Sequence, residues 1–284
     1  DGSMQEAGGI VWGNGQPWNV GRDANPLQPE FNYAREVDYV SGAAMCISKA
    51  IWEEVGRFSE ELVPCYYEDT DLAFKVRDAG YKTVYVPTSE VVHFEGQSHG
   101  RDVTKGLKRY QVVNEKTFRN KWFKAFKHNG KASLENLKIE KDRNIDQRIL
   151  VIDYASPQPN KDAGSYAAIQ EIKLMLALGF KVTFVPENLA HFGKYTTALQ
   201  KMGVEVLYAP FYVSMDDVLD RRLDEMDAVY ITRYYVAEAY LQKIKEKGKK
   251  VGEEIDYTQV KKYKKLLPHI NKLRKNMCAY NNLL

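Results

Sequence analysis

Apolar positions fall along this chain in two rhythms. From residue 148 onward, short unbroken apolar runs alternate with stretches in which apolar residues return every three or four positions. Arg148-Ile149-Leu150-Val151-Ile152-Asp153-Tyr154 is apolar on consecutive positions and too short for a helix, as a strand buried on both faces requires. The pattern then predicts a helix over 166–178 stopped at Gly179, a strand over 181–185, a helix over 195–202 stopped at Gly203, a strand over 204–208, a helix over 214–226 and a strand over 228–232. Strands separated by single helices call for parallel pairing with helices on both sheet faces, a Rossmann-like parallel-sheet domain.

The earlier part is less regular, rich in glycine and aromatics, with short apolar runs broken by turn residues. It predicts a buried strand over 37–47, a short helix over 49–55 closed by Gly56, and a clearer helix over 68–79. In that helix Leu72, Ala73, Val76 and Ala79 recur at helical spacing, acidic residues fill the first turn and Gly80 is the stop. Two short strands follow, over 82–86 and 91–94, separated by Pro87 and leaving His93 at a strand end. Residues 101–127 are basic and aromatic (Lys105, Lys108, Arg109, Phe118, Arg119, Trp122) and read as a helix with one packed and one solvated face, or as a basic surface for a phosphate or anionic lipid headgroup. From 128 to 147 the chain turns polar without an apolar stripe. The expected organisation is therefore a mixed α/β domain over 1–127, a linker over 128–147, the Rossmann-like domain over 148–252 and a basic helical tail over 253–284.

Composition narrows the classes. Lysine and arginine number 41 against 38 aspartates and glutamates, so the overall charge gives no reason to expect a nucleic acid partner. Cys46, Cys65 and Cys278 are widely spaced and odd in number, which fits neither a disulfide scaffold nor a zinc site and points to a reducing, cytoplasmic setting. No apolar run approaches the roughly 20 residues of a membrane span. The opening Asp1-Gly2-Ser3-Met4 lacks an initiator methionine and is expected to be an internal start.

The densest chemical cluster is Tyr66-Tyr67-Glu68-Asp69-Thr70-Asp71. Carboxylates so close together repel one another, yet sit at the positive end of a helix dipole. Helix capping and acid–base chemistry both account for them. His93, in Val91-Val92-His93-Phe94-Glu95-Gly96, reads as a structural histidine or as a ligand.

The run Glu68 to Leu72, the Ala79-Gly80-Tyr81 turn, Pro87 and the Val-His-Phe-Glu-Gly ending resemble the C-terminal half of the catalytic domain of family-2, GT-A-type glycosyltransferases. Asp1-Gly2-Ser3, Gln5-Glu6-Ala7-Gly8-Gly9 and Val40-Ser41-Gly42-Ala43-Ala44 followed by Phe58 extend the likeness over about residues 1 to 125. The resemblance implies inverting transfer of a sugar from a nucleotide-diphosphate donor to an acceptor hydroxyl, in the synthesis of a bacterial surface polysaccharide such as O-antigen. It makes Asp69 the general base, with Glu68 and Asp71 raising its proton affinity. His93 is matched to a histidine completing a magnesium or manganese site on the donor diphosphate. Gly42, Ala43 and Ala44 are matched to a segment where donor or acceptor approaches the backbone, with core packing as the other reading of the two alanines. The partners implied are a nucleotide sugar and a glycan or lipid-linked acceptor, with peripheral association at the inner membrane face.

In the second half, Pro157-Gln158-Pro159-Asn160-Lys161-Asp162-Ala163-Gly164-Ser165, with Gly179 to Phe184 and Gly203 to Val206, is similar to the N-terminal Rossmann domain of family-4, GT-B-type transferases. Gly164, Ser165 and Asp162 would there lie at an inter-domain cleft, where the loop glycine approaches the donor phosphates; an ordinary turn with Ser165 as a cap reads equally well. The two resemblances imply a parent protein in which a nucleotide-binding half precedes Asp1 and a donor-binding half follows Leu284. A non-catalytic carbohydrate-binding unit, stacking sugars on Trp12, Trp18, Tyr66 or Tyr67, and an incomplete fragment are the alternatives.

Overall fold

A computed structural model of the chain describes residues 2–94 and 104–250. Glu95 and Gly96 of the histidine motif, residues 101–103, Cys278 and the basic tail lie outside them.

Two small antiparallel ribbons begin the first half: β1 (Gly9–Val11) with β2 (Pro17–Asn19), and β3 (Arg35–Glu36) with β4 (Val84–Tyr85). Around them lie helices α1 (Lys49–Glu54), α2 (Glu68–Asp78) and α3 (Tyr110–Phe126). Ser48 caps α1 by accepting the Ile51 N–H, and Gly56 and Gly80 take left-handed φ values of 78° and 85° just past α1 and α2, as the stop signals require. The strand expected over 37–47 is absent. Val37 and Tyr39 are buried, but the backbone makes one isolated bridge, Tyr39 to Gly9, and then turns. At that bridge the Tyr39 ring lies on the Gly9 backbone, where an added Cβ would sit 2.1 Å from ring atoms, so only glycine fits. No strand forms over 91–94 either.

The second half matches its expected alternation. β5 (Gln147–Asp153), β6 (Phe180–Pro186), β7 (Glu205–Val206) and β8 (Ala228–Ile231) form a parallel sheet in the order β7-β6-β5-β8. Alternate residues of β5 feed two cores: Leu150 and Ile152 pack with Val218 and Leu219 of α7 (Met215–Arg222) and Val236 of α8 (Tyr234–Lys250), whereas Ile149 and Val151 pack with Ile172 of α5 (Ala163–Ala177) and Leu199 of α6 (Lys194–Lys201). The chain is thus a mixed α/β fold with helices on both faces of a parallel sheet.

The polar stretch between the halves carries packed structure. It contains α4 (Leu134–Glu140), whose Leu137 packs against the Trp12 core. Just beyond, Lys141 and Asp142 are buried. Asp142 accepts the Tyr33 hydroxyl at 2.9 Å and pairs with Lys181 at 2.9 Å, and Lys181 pairs with Glu205 at 2.8 Å. Glu205 is gripped by both terminal nitrogens of Arg222, at 2.8 and 3.0 Å. Residues from the first half, the connection, β6, β7 and α7 therefore close one buried ionic seam. Burial pushes the Lys141 ammonium down to about 8 although Asp142 opposes that shift, while Asp142 itself is held below the usual carboxylate range by Lys141 and Lys181 against the cost of its burial. Backbone contacts reinforce the seam: Ala34 N–H donates to Gln200 C=O at 2.9 Å and the Tyr208 hydroxyl to Leu27 C=O at 2.7 Å.

Candidate active site

A cleft of about 960 Å³ opens in the first half, and Gly42, Ala43, Tyr67, Glu68, Asp69 and His93 all line it. Residues that the sequence spreads over fifty positions share one cleft. The cause is the turn before α2: Tyr66 and Tyr67 both hold left-handed φ values, 74° and 71°, which bulky residues avoid. That turn throws the first residues of α2 against loop 41–43.

The strain is held by a residue that sequence reading missed. Asn114 of α3 is buried, and its side-chain amide donates to the carbonyls of Leu62, Cys65 and Tyr66 at 2.7, 2.9 and 3.1 Å. Asn114→Ala leaves three carbonyls without that donor and is expected to lower unfolding free energy by about 1–3 kcal/mol. A denaturant unfolding curve superimposable on the wild type would show that the turn is held by other means.

Asp69 is anchored on both carboxylate oxygens. Oδ2 accepts the Gly42 N–H at 2.9 Å, and Oδ1 accepts the Thr70 N–H at 2.6 Å and the Thr70 hydroxyl at 3.2 Å. The bond to Thr70 N–H satisfies a first-turn donor, so Asp69 serves the helix start as well as facing the cleft. A Cβ at Gly42 would meet Asp69 at 3.7 Å, an ordinary contact, so the protein itself does not demand glycine there. Across the cleft, the His93 ring Nδ1 lies 2.9 Å from Gln5 Oε1. The neighbouring Glu6 carboxyl accepts the Ser41 N–H at 2.9 Å. Burial pushes Glu6 up to about 7 against the pull of that bond, and the Asp69 charge adds to the rise.

Asp71 is not in this cleft. Two positions after Asp69 on a helix, it points to the opposite side, fully buried between α2 and α3. There it accepts the Ser59 hydroxyl at 2.6 Å and the Trp122 indole N–H at 2.7 Å, and pairs with Lys121 at 2.9 Å. Its expected place in the chemistry is replaced by a helix-packing role. Trp12, offered as a sugar platform, is fully buried beneath Trp18, with ring centroids 5.2 Å apart; Trp18, Tyr66 and Tyr67 do line the cleft.

Gly164 and Ser165 lie elsewhere, at the start of α5 beside the carboxyl end of the parallel sheet. The cap is Asp162 and not Ser165: the Ser165 N–H and hydroxyl both donate to the Asp162 carboxylate, at 2.7 and 2.6 Å, with Ser165 inside the first turn of α5. Arg233 reaches Asp153 there at 3.2 Å. The divalent cation implied by the resemblance finds no ready donor set: among the described residues no three His, Cys, Asp or Glu side chains converge on one point.

Residues 28–112 match the model of a family described as glycosyltransferase like family 2. The match is to that family's description over those residues alone. The segment contains loop 41–43, the strained turn, the start of α2 and His93, while Gln5, Glu6, Trp18 and Arg22 of the same cleft precede it. Over 106 residues the chain is 33% identical to N-acetylglucosaminyl-diphospho-decaprenol L-rhamnosyltransferase of two Mycobacterium tuberculosis strains, CDC 1551 / Oshkosh and ATCC 25618 / H37Rv. That alignment covers 37% of this chain and 33% of each relative, so the chain spans about a third of the length of these relatives. It is also 31% identical over 150 residues to the uncharacterized protein y4gI of Sinorhizobium fredii (strain NBRC 101917 / NGR234), covering 50% of this chain and 16% of that protein. No solved structure gives a match. The matched segment ends well before residue 148, so the match does not extend to the parallel-sheet half.

Proposed function

We propose that the cleft is the acceptor side of an inverting glycosyltransferase, with Asp69 as the general base. The observation that carries this is the placement of Asp69 in the family-2-type segment: on the cleft wall, oriented by the Gly42 and Thr70 donors, with Tyr67 and Glu68 beside it. In the step proposed, the acceptor hydroxyl loses its proton to Asp69 while its oxygen bonds the anomeric carbon. The bond from that carbon to the nucleoside diphosphate breaks, and the leaving diphosphate takes the electron pair. A positioned carboxylate contributes on the order of 10²–10⁴ in rate by such proton removal.

The acceptor proposed is a lipid-linked saccharide, in line with the mycobacterial relatives, whose name specifies a diphospho-decaprenol-linked sugar. The outer face of α3 supports presentation at a membrane surface. Val112, Val113 and Phe123 are exposed there among Lys116, Arg119 and Lys124, apolar anchors interleaved with cations. No helix among the described residues is long and apolar enough to cross a membrane. In the parallel-sheet half, the α5 N-terminus opens where strand order reverses between β6 and β8 around β5, the position at which such sheets bind ligands. This supports Gly164 and Ser165 as a separate phosphate-facing turn of family-4 type.

The test is a transfer assay with a panel of nucleotide sugars and a polyprenyl-diphosphate saccharide, read by mass spectrometry of the lipid. Addition of one sugar residue from one donor class is expected. Donor-independent binding of free oligosaccharides, with no mass gain on any lipid, would favour the carbohydrate-binding alternative.

A further inference from the structure

We infer that Glu6 is the positioning residue for Asp69, acting through the Ser41–Gly42 backbone, and that the proton on Glu6 tunes this support. The inference rests on the reading of Asp69 as the base. Two consecutive amides carry the connection: Ser41 N–H donates to Glu6 Oε1 at 2.9 Å, and Gly42 N–H donates to Asp69 Oδ2 at 2.9 Å. One carboxyl comes from the segment before β1 and the other from the first turn of α2, so the dipeptide is clamped between them. Nothing in the regular structure fixes this loop, because the backbone after Tyr39 belongs to no strand. The Ser41 hydroxyl closes the turn by accepting the Ala43 N–H at 3.2 Å.

Glu6 Oε2 is buried and makes no hydrogen bond, while Oε1 is committed as an acceptor. Oε2 is therefore the seat for a proton. The groups facing Glu6 are Asp69 from α2, the Tyr39 phenol from the segment after β3, and the Tyr85 phenol from β4. The nearby cation Arg35 of β3 is turned to Ala7 C=O and lies against the Tyr33 and Tyr85 rings, and Arg22 lines the cleft farther along. With its carboxyl pushed up to about 7, Glu6 changes charge near neutrality. Neutral Glu6 leaves Asp69 as the one anion on the clamped dipeptide. Ionised Glu6 strengthens its own bond to Ser41 N–H, draws the loop away from Asp69, and adds a second negative charge to a cleft that must admit a nucleoside diphosphate.

The experiment is an NMR titration of the chain from about pH 5 to about pH 9, following the Glu6 side-chain carboxyl carbon and the Ser41 and Gly42 amides. All three are expected to share one inflection near neutrality. In Asp69→Asn that inflection moves to lower pH, and in Glu6→Gln the two amides lose it. The fall of kcat above neutral pH is expected to flatten in Glu6→Gln. An ordinary carboxylate titration of Glu6, or Ser41 and Gly42 amides without an inflection, overturns the inference. The NMR readout needs no turnover, so failure of Asp69 as base would appear separately, as activity surviving in Asp69→Asn.

Discussion

Asp69→Asn is expected to lower transfer by about 10²–10⁴ while leaving thermal unfolding close to that of the wild type. The amide keeps an acceptor oxygen for Thr70 or Gly42, so the helix start and the loop retain most of their bonding, but it no longer takes a proton from a sugar hydroxyl. Asp71→Asn is the matched control. It sits in the same helix, but its carboxylate pairs with Lys121 inside the α2–α3 contact, so its neutralisation should cost stability before it costs chemistry. Activity of both variants in the protein as the cell makes it, set beside their melting temperatures, separates the two roles. Turnover within a few-fold of wild type in Asp69→Asn would sink the base assignment.

The second large effect belongs to the ionic seam. Glu205→Leu leaves Lys181 and Arg222 facing each other without their shared carboxylate, in a site from which water is excluded. Removing one partner of such a buried group typically costs about 3–5 kcal/mol, a large part of the roughly 5–15 kcal/mol that holds a domain together. The sequence offers a built-in reporter: Trp12, Trp18, Trp52 and Trp122 all lie in the first half. Tryptophan fluorescence therefore reads the first half alone, while Glu205 belongs to the second. If the seam makes one cooperative unit, Glu205→Leu shifts the fluorescence transition in denaturant by the same amount as the circular dichroism transition. A fluorescence midpoint unmoved by the substitution would mean that the halves unfold independently.

The parallel-sheet half was legible because its signals are local. Unbroken apolar runs mark strands buried on both faces, and Gly179 and Gly203 hold φ values of 87° and 95° just where the helices had to stop. The first half was harder because its strands are only two or three residues long and its order comes from side chains holding loops. The apolar content of 37–47 marked burial correctly at Val37 and Tyr39, but not the turn that Glu6 and Asp69 impose after them. Within the site, the grouping of Gly42, Ala43, Glu68, Asp69 and His93 came from resemblance and Tyr67 from its aromatic ring beside the acidic cluster, and the cleft brings the six together. The split between Asp69 and Asp71 was available from helical period, since residues two apart face opposite ways. Glu6 and Asn114 were not available: burial of a carboxyl near another, and an amide spanning 48 to 52 positions to reach three carbonyls, are products of tertiary packing. The polar stretch 128–147 was misleading for the same reason, because Lys141 and Asp142 find Tyr33 and Lys181 only once the chain has folded back.

Order of synthesis gives the seam a further meaning. Tyr33, Lys141 and Asp142 leave the ribosome before Lys181, Glu205 and Arg222, so the nascent first half emerges with its inner charges exposed to water and its docking strip at 27–35 uncovered. It can close only after α7 has been translated, and until then it is the kind of half-finished body that chaperones hold. A ribosome stalled between β6 and α7 would carry a chain still open to protease, and release of that stall would bring protection to both halves at once.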